Sequence, residues 1–590
     1  MTSRNCDRCE TDCKGDCLDR AYVGCNQIIR TELAEIDSRH KITKFKCVGP
    51  AESQFPSFNG NFHKSLAHNT MTGSLSDQDQ YYELYDDIAN NRQVRLANIP
   101  LAPGSTIQLV DPLLSIASCL MGGDQAAFKL KPAFLLSSGE AAAEMIELYC
   151  QVLCRDVAFS EYKSNATITQ CLAFLNDSTV QSYLPEPPAG GFPLTAKNIF
   201  RSSFPGSNIG PYTSQLLLLN TLLGAIIVEQ KPLSYPTATE AIADSVAIEW
   251  CLNQSQAILS QNGNLTTLPA APTQAQSTAL YVYAGRNLAE TVHLDASIEY
   301  YYFAANTLQA LGVPWNPTLP SAPNQSAFAT CGSGNAVQHA LAEVCSLGLK
   351  HAWFWKWTQY RRLRPEVFGL WVDNVQNNRV ANAANYNIAP FLFTNGVLPA
   401  IKTHNASFGA QYNSSYTLSG TYREGSPAHP SYPSGHSVVA GACCTILKLF
   451  FNAETLWSAI PGLQSTSINR KIVPASVTGP VVEANDDGTD LQNYTGSDAS
   501  QMSVWGEINK VGTNICMGRD WAGIHYRSDG IEGMKLGEQI AESYFGDLLS
   551  SWVQNTLTNG NTEMAVPTVT FRKLDGTIGF VKPTLCRKRE

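Results

Sequence analysis

Three observations predict a mainly α fold with a small C-terminal β-hairpin. Segments of helical period fill the middle of the chain, irregular stretches at 183–213 and 262–274 separate some of them, and the tail alternates at period two. The helical segments are "AAAEMIELYCQVLCRDVAF" (141–159), "SQLLLLNTLLGAIIVEQ" (214–230), "SIEYYYFAANTLQALG" (297–312) and "AVQHALAEVCSLGLKHAWFWKWTQYRRL" (336–363), with apolar residues at i, i+3, i+4 and i+7. The tail, "TVTFRKLDGTIGFV", turns on Asp575-Gly576. With 590 residues, the chain exceeds the roughly 250–300 that one simple core supports. The expected division is a Cys-rich extension at 1–50, an N-terminal helical region at 51–330, a second helical bundle at 331–565, and the hairpin and tail at 566–590.

Charge excludes one class of partner. The net charge is −9, and no Lys/Arg run beyond "KWTQYRRLRP" could track a phosphate backbone, so nucleic acid is not expected. No membrane span is expected: "LLLLNTLLGAIIV", from Leu216, is 13 residues long, is interrupted by Asn220 and Thr221, and reads as a core helix. The N-terminus "MTSRNCDRCETDCKGDC" lacks the apolar core of a secretory signal. Eight Asn-x-Ser/Thr sequons (Asn165, Asn176, Asn253, Asn264, Asn324, Asn405, Asn413, Asn493) nevertheless suit a glycosylated protein, and an extracellular or cell-wall setting is the expectation. Of 17 cysteines, Cys6, Cys9, Cys13, Cys17 and Cys25 crowd the first 25 residues; with no histidine among them they read as local disulfides rather than a zinc site. Cys443 and Cys444 read as buried packing residues.

Three patches carry chemistry, all in the last 240 residues. In "KWTQYRRLRPE", Lys356 and Arg364 are eight apart, about 80° around a helix, and can lean to one side of its last turns. Pro365 disfavours helix at Arg364, so its guanidinium swings free. A lysine and an arginine converging there form an oxyanion clamp, and the surrounding Trp353, Phe354, Trp355, Trp357 and Leu363 argue for burial over a solvated basic face. In "AHPSYPSGHSVVAGACCTILKLFF", Ser434 caps a helix whose first turn offers the Gly435 amide and His436, a ready cradle for a tetrahedral oxyanion, with His429 on its rim. In "GRDWAGIHYRSDG", His525 and Asp529 are i, i+4, the spacing at which a carboxylate holds one imidazole nitrogen and leaves the other as ligand or nucleophile. Arg519 approaches from the preceding turn, eased by Gly523, and Arg527 reads as a surface partner of Asp529. Together these predict helical bundles around a buried oxyanion pocket, with the bundle at 331–565 catalytic and His525 bonded to the anion's central atom. Phosphate and vanadate both fit this reading.

The order K-x7-R-P, H-P-S-Y-P-S-G-H, G-R-x5-H-x3-D resembles the vanadium-dependent haloperoxidases, whose pocket is shared with acid phosphatases. "RDVAFSEY" at 155, "FRSSFPGSNIGPYTSQLL" at 200, "REGSPAHPSYPSGH" at 423 and "GEINKVGTNICMGRDWAGIHYRSDGIEG" at 506 are similar to the brown-algal bromoperoxidase type, over roughly residues 50–590. The resemblance implies one vanadate per subunit, ligated by His525 and held by Lys356, Arg364, Ser434, the Gly435 amide and Arg519. It implies His436 as acid-base group, Lys356 as a catalytic cation that polarises bound peroxide, and His429, Trp353 and Tyr360 near the halide. It implies hydrogen peroxide, halide and a small organic acceptor as partners, and a homodimer or larger homo-oligomer. Ser437 and Tyr360 depart from the pattern, where alanine and histidine are expected. Iodide specificity and a phosphatase acting through phosphohistidine are the alternative activities. A wall or matrix glycoprotein working through its Cys-rich head is the non-enzymatic one.

Overall fold

The computed structural model describes residues 58–90, 92–236, 247–320, 326–381, 386–553 and 568–584; the Cys-rich head and the Asn324 sequon lie outside them. The helices that build the interior are α1 (Gly139–Cys154), α2 (Gly285–Thr291), α3 (Glu299–Ala310), α4 (Gly334–Trp353), α5 (Pro365–Gln376), α6 (Gly435–Phe450), α7 (Val504–Trp521) and α8 (Arg527–Val553). Four antiparallel two-stranded sheets decorate them: β1 (Thr221–Leu223) with β2 (Ile226–Val228), β3 (Leu233–Ser234) with β4 (Thr278–Ala279), β5 (Val482–Ala484) with β6 (Leu491–Asn493), and β7 (Val569–Arg572) with β8 (Ile578–Val581).

α6 is the centre of the molecule. It packs against α8, α4 and α7, and every residue in it is buried except His436. A helix apolar all round belongs in a core, so one partly open position in its first turn marks where the core meets a pocket. Glycines let α6 and α8 approach closely. A Cβ on Gly441 would lie 2.0 Å from the Met534 carbonyl oxygen, and one on Gly537 would lie 2.1 Å from that of Val438. Alanine in place of glycine gains about 1 kcal/mol of helix propensity. Gly537→Ala is nonetheless expected to lose about 2–3 kcal/mol of stability, because neither backbone can yield without moving a helix; urea melts of the variant check this.

The C-terminal hairpin forms as its pattern predicts, with Phe571 opposite Gly579 and a left-handed Gly576 in the turn. Two helical expectations are corrected. The segment 214–230 is not a helix: a 3-10 turn at Gln215–Leu217 leads into the β1–β2 hairpin, which reverses at Gly224 with φ +62°. The β-branched Ile226, Ile227 and Val228 favour a strand, and left-handed glycine breaks a helix. The helix read over 336–363 ends early, since α4 stops at Trp353, one π-helical stretch covers Phe354–Tyr360, and Arg361 turns left-handed. Lys356 and Arg364 are therefore on different elements, Arg364 being the N-cap residue of α5. The ten cysteines in the described residues are free thiols, all buried, with Cys443 and Cys444 in the core as expected. The Asn405 sequon is fully buried, its amide donating to the Thr417 carbonyl, so it accepts no glycan in the folded chain.

Candidate oxyanion site

Each predicted group is delivered by the end of an element. α7 carries Arg519 in its last turn and stops at Trp521; Gly523, at φ +79°, reverses the chain into His525, two residues before α8. Ser434 caps α6 and accepts from the Ser437 amide at 3.4 Å, while the Ser434 amide donates to the Asp529 carbonyl at 3.0 Å. That second bond ties the start of α8 to the start of α6. Ser437 faces α8, where a Cβ on Gly533 would lie 3.0 Å from its Cβ, and nothing in the structure explains its departure from alanine.

Three cations and a histidine converge here. Arg364 donates to the Ile524 carbonyl at 2.8 Å, to His525 Nε2 at 2.9 Å, to the His429 carbonyl at 3.0 Å and to His429 Nδ1 at 3.0 Å. Lys356 Nζ donates to the carbonyls of Pro430 and Ser431, both at 2.8 Å. Arg519 donates to the Val292 carbonyl, and its Nε is buried without a partner. His525 Nδ1 meets Asp529 Oδ2 at 2.8 Å, which leaves Nε2 as the acceptor turned toward the cations. All four side chains are buried, Lys356 and Arg364 completely.

The electrostatics report a missing negative charge. Burial, then repulsion from Arg364, drives the Lys356 ammonium well below its usual range. Burial, then Arg519, brings Arg364 down to about 9. Burial followed by Arg364, Lys356 and Arg519 holds His525 neutral, far below the ordinary imidazole value. The nearby carboxylate, Asp529, is committed: its Oδ1 accepts from Arg362 at 2.7 Å, and its Oδ2 from Ser431, from the Tyr526 amide at 3.2 Å and from His525. Like charges buried together without a counter-ion are costly. A tetrahedral oxyanion among Lys356, Arg364, Arg519, Ser434 and the Gly435 amide removes that cost, gives the orphaned Arg519 Nε an acceptor, and would take the place of Arg364 at the His525 Nε2 lone pair. Vanadate fits this donor set.

Several expectations change. His429 is not on an open rim: it is 7% exposed, bonded to Arg364, with its ring 4.7 Å from that of Trp353. Trp353 also closes over α6, since a Cβ on Gly435 would meet its ring at 3.0 Å. Tyr360 stands apart from this pair, stacked on Trp355 with its hydroxyl donating to the Leu130 carbonyl at 3.3 Å. Arg527 is no surface partner of Asp529; it is buried and forks onto Glu147 at 2.8 and 2.5 Å.

Four supporting residues escaped the sequence reading. Arg362 bridges Asp529 to Glu144 at 2.8 Å and to Ser528 Oγ at 2.9 Å, with its guanidinium 3.9 Å from the Tyr526 ring centre. Asp295 accepts from His436 Nε2 at 2.9 Å. Glu144 and Glu147, one turn apart among the apolar residues of α1 and both buried, were the available signal, because buried carboxylates require buried cations.

The family model for the VCPO second helical-bundle domain matches residues 402–554, which hold Ser434, His436, Arg519, His525 and Asp529. A vanadium-dependent bromoperoxidase of Corallina pilulifera is 29% identical over 545 residues, covering 82% of this chain and 86% of that one. One from Ascophyllum nodosum is 29% identical over 490 residues, covering 81% and 80%. The homohexameric structure of the second vanadate-dependent bromoperoxidase of Ascophyllum nodosum superposes with a TM-score of 0.76 at 26% identity, over 96% of this chain and 90% of that one. The chain is similar to vanadium-dependent bromoperoxidases over about four-fifths of its length. These relatives are named for their dependence on vanadium or vanadate.

Proposed function

We propose that this haloperoxidase oxidises bromide, and iodide, with hydrogen peroxide to hypohalous acid, which halogenates small organic acceptors. The observation that carries the reading is the Arg364 hydrogen bond to the acceptor nitrogen of His525, an imidazole whose pKa is also lowered by the nearby buried Lys356 and Arg519, with Asp529 already held by Arg362. The chemistry vanadate supplies when bound, one per subunit, is Lewis-acid activation of peroxide toward halide. His525 Nε2 is the metal ligand, held in its tautomer by Asp529. Lys356, Arg364 and Arg519 would offset the charge of the vanadate oxygens, and Ser434 and the Gly435 amide would help hold them. Lys356 also polarises the peroxide. His436 shares its Nε2 proton with Asp295 and keeps Nδ1 free to take a proton from hydrogen peroxide. His429 and Trp353 form the wall where halide enters. The homohexameric relative supports a homo-oligomer for this chain too, and no described helix is long and apolar enough to cross a membrane. An extracellular or wall setting belongs to the same reading and predicts glycan on exposed Asn413.

Burial, then Arg519, lowers the His436 pKa, and Asp295 opposes this by raising it. Asp295→Asn removes the opposing charge, so His436 should protonate only at lower pH. The acid limb of the activity profile is expected to move down, which rate-against-pH curves for the two proteins check.

The activity itself is tested on metal-stripped protein assayed in parallel for bromide and iodide oxidation and for hydrolysis of a chromogenic phosphate ester. Halide oxidation that appears on adding orthovanadate supports the proposal. Ester hydrolysis with no halide oxidation at any loading would move the pocket to the phosphatases and make His525 a nucleophile.

A further inference from the structure

Residues 292–295 leave α2 as an irregular turn that serves two groups of the oxyanion site at once. The Val292 carbonyl accepts from Arg519, and the Asp295 carboxylate accepts from His436 at 2.9 Å. Val292 is buried in the core, whereas Leu294 is 88% exposed and adds little packing.

His293, between them, is the side chain that fastens the turn. Its ring lies flat on that of Tyr422, with 3.8 Å between centres and 5° between planes. Its Nε2 meets Glu424 Oε1 at 2.6 Å, and its Nδ1 stands 3.9 Å from Glu290. Both main partners are anchored. The Tyr422 hydroxyl donates to the Ala289 carbonyl at 2.6 Å. The Glu424 carbonyl accepts at 2.7 Å from the buried Lys64 ammonium, which is itself paired with Glu366 at 3.2 Å. Tyr422 in turn stands beside Arg519, whose guanidinium carbon is 5.5 Å from the ring centre. With its Nε orphaned, Arg519 takes its aim from the Val292 carbonyl and this ring. A chain of contacts thus runs from Glu424, whose side chain is 40% exposed, to a cation of the oxyanion site.

We propose that His293, latched by Glu424, is a positioning residue for the oxyanion site: it keeps the Tyr422 ring beside Arg519 and sets Asp295 against His436. The inference rests on the vanadate reading of that site. An outer contact of this kind fixes the direction of an inner group, so its loss costs affinity while every group that touches the ligand stays in place. Charge and position predict opposite signs at Glu424. Removing a carboxylate from this side of the pocket would, on charge alone, tighten oxyanion binding. Removing the latch weakens it.

The test is equilibrium dialysis of orthovanadate, and in parallel of inorganic phosphate, against metal-stripped parent, Glu424→Ala, Glu424→Gln and His293→Ala, with melting temperatures on the same samples. Expected is about fivefold weaker binding by Glu424→Ala, the worth of one net hydrogen bond, and about tenfold weaker binding by His293→Ala, which also loses the stack. Glu424→Gln keeps an acceptor for the imidazole N–H and should bind at least as tightly as the parent. Both Glu424 variants change a partly exposed side chain and should melt close to the parent. If His293→Ala does not fold, the two Glu424 variants decide. Unchanged or tighter binding by Glu424→Ala, equal weakening by Glu424→Gln, or parent affinity in a folded His293→Ala would each overturn the proposal. A parent that binds phosphate and not vanadate would instead overturn the vanadate reading, with the variants then ranked on phosphate.

Discussion

His525→Ala is expected to lower vanadate-dependent bromide oxidation by about 10³-fold, the upper end of what removing one preorganised active-site contact costs, while leaving the protein folded. The imidazole provides the neutral nitrogen that Arg364 bonds, and burial together with Arg364, Lys356 and Arg519 keeps it unprotonated. Its loss leaves Asp529 still bonded to Arg362, to Ser431 and to the Tyr526 amide. No buried charge is stranded, so the melting temperature should move little. Initial rates across a range of orthovanadate concentrations, alongside thermal melts, check both halves. Recovery of the activity at high vanadate would mean that the histidine aids affinity without being needed for turnover.

Arg362→Met is expected to do the reverse, costing about 3–5 kcal/mol of stability, the usual consequence of breaking a buried ion pair by removing one partner. Burial works against the Arg362 charge, but Asp529 and then Glu144 more than reverse this and raise its pKa. Without the guanidinium both carboxylates stay buried, and Glu144, already pushed upward by burial with Arg362 opposing that shift, would take up a proton. Denaturant unfolding at neutral pH measures the loss. Asp529, stripped of Arg362, also holds His525 less firmly, so vanadate affinity should fall with stability. An Arg362→Met protein as stable as the parent would show that the bridge is not what locks α8 against α1.

The site was legible because its residues sit at helix ends that local sequence marks. The Pro-rich string before Gly435, Pro365 after Arg364, and Gly523 before His525 each announce a turn, and a turn beside a charged or imidazole side chain places that group at a boundary. What stayed hidden was which arginine pairs with which acid. Arg361, Arg362 and Arg364 stand within four residues, yet one lies over Tyr85, one bridges Asp529 and Glu144, and one faces His525. The π-helical stretch and the left-handed Arg361 sort them, and neither leaves a periodic signal. Arg527 was misread for the same reason, because its partner Glu147 lies 380 residues earlier. The 214–230 segment misled through composition, where an apolar run broken only at Asn220 and Thr221 hid a hairpin whose clue was Gly224, left-handed and followed by the β-branched Ile226, Ile227 and Val228.

The central claim is that three buried cations and His525 form a vanadate site. Equilibrium dialysis of orthovanadate against metal-stripped protein, with bromide oxidation read on the same samples, tests it most directly. The account predicts one vanadate per chain, displaced by phosphate, with activity proportional to occupancy and with no binding by His525→Ala at the concentration that saturates the parent. Full bromide oxidation in vanadium-free protein, or equal vanadate binding by the variant, would contradict it.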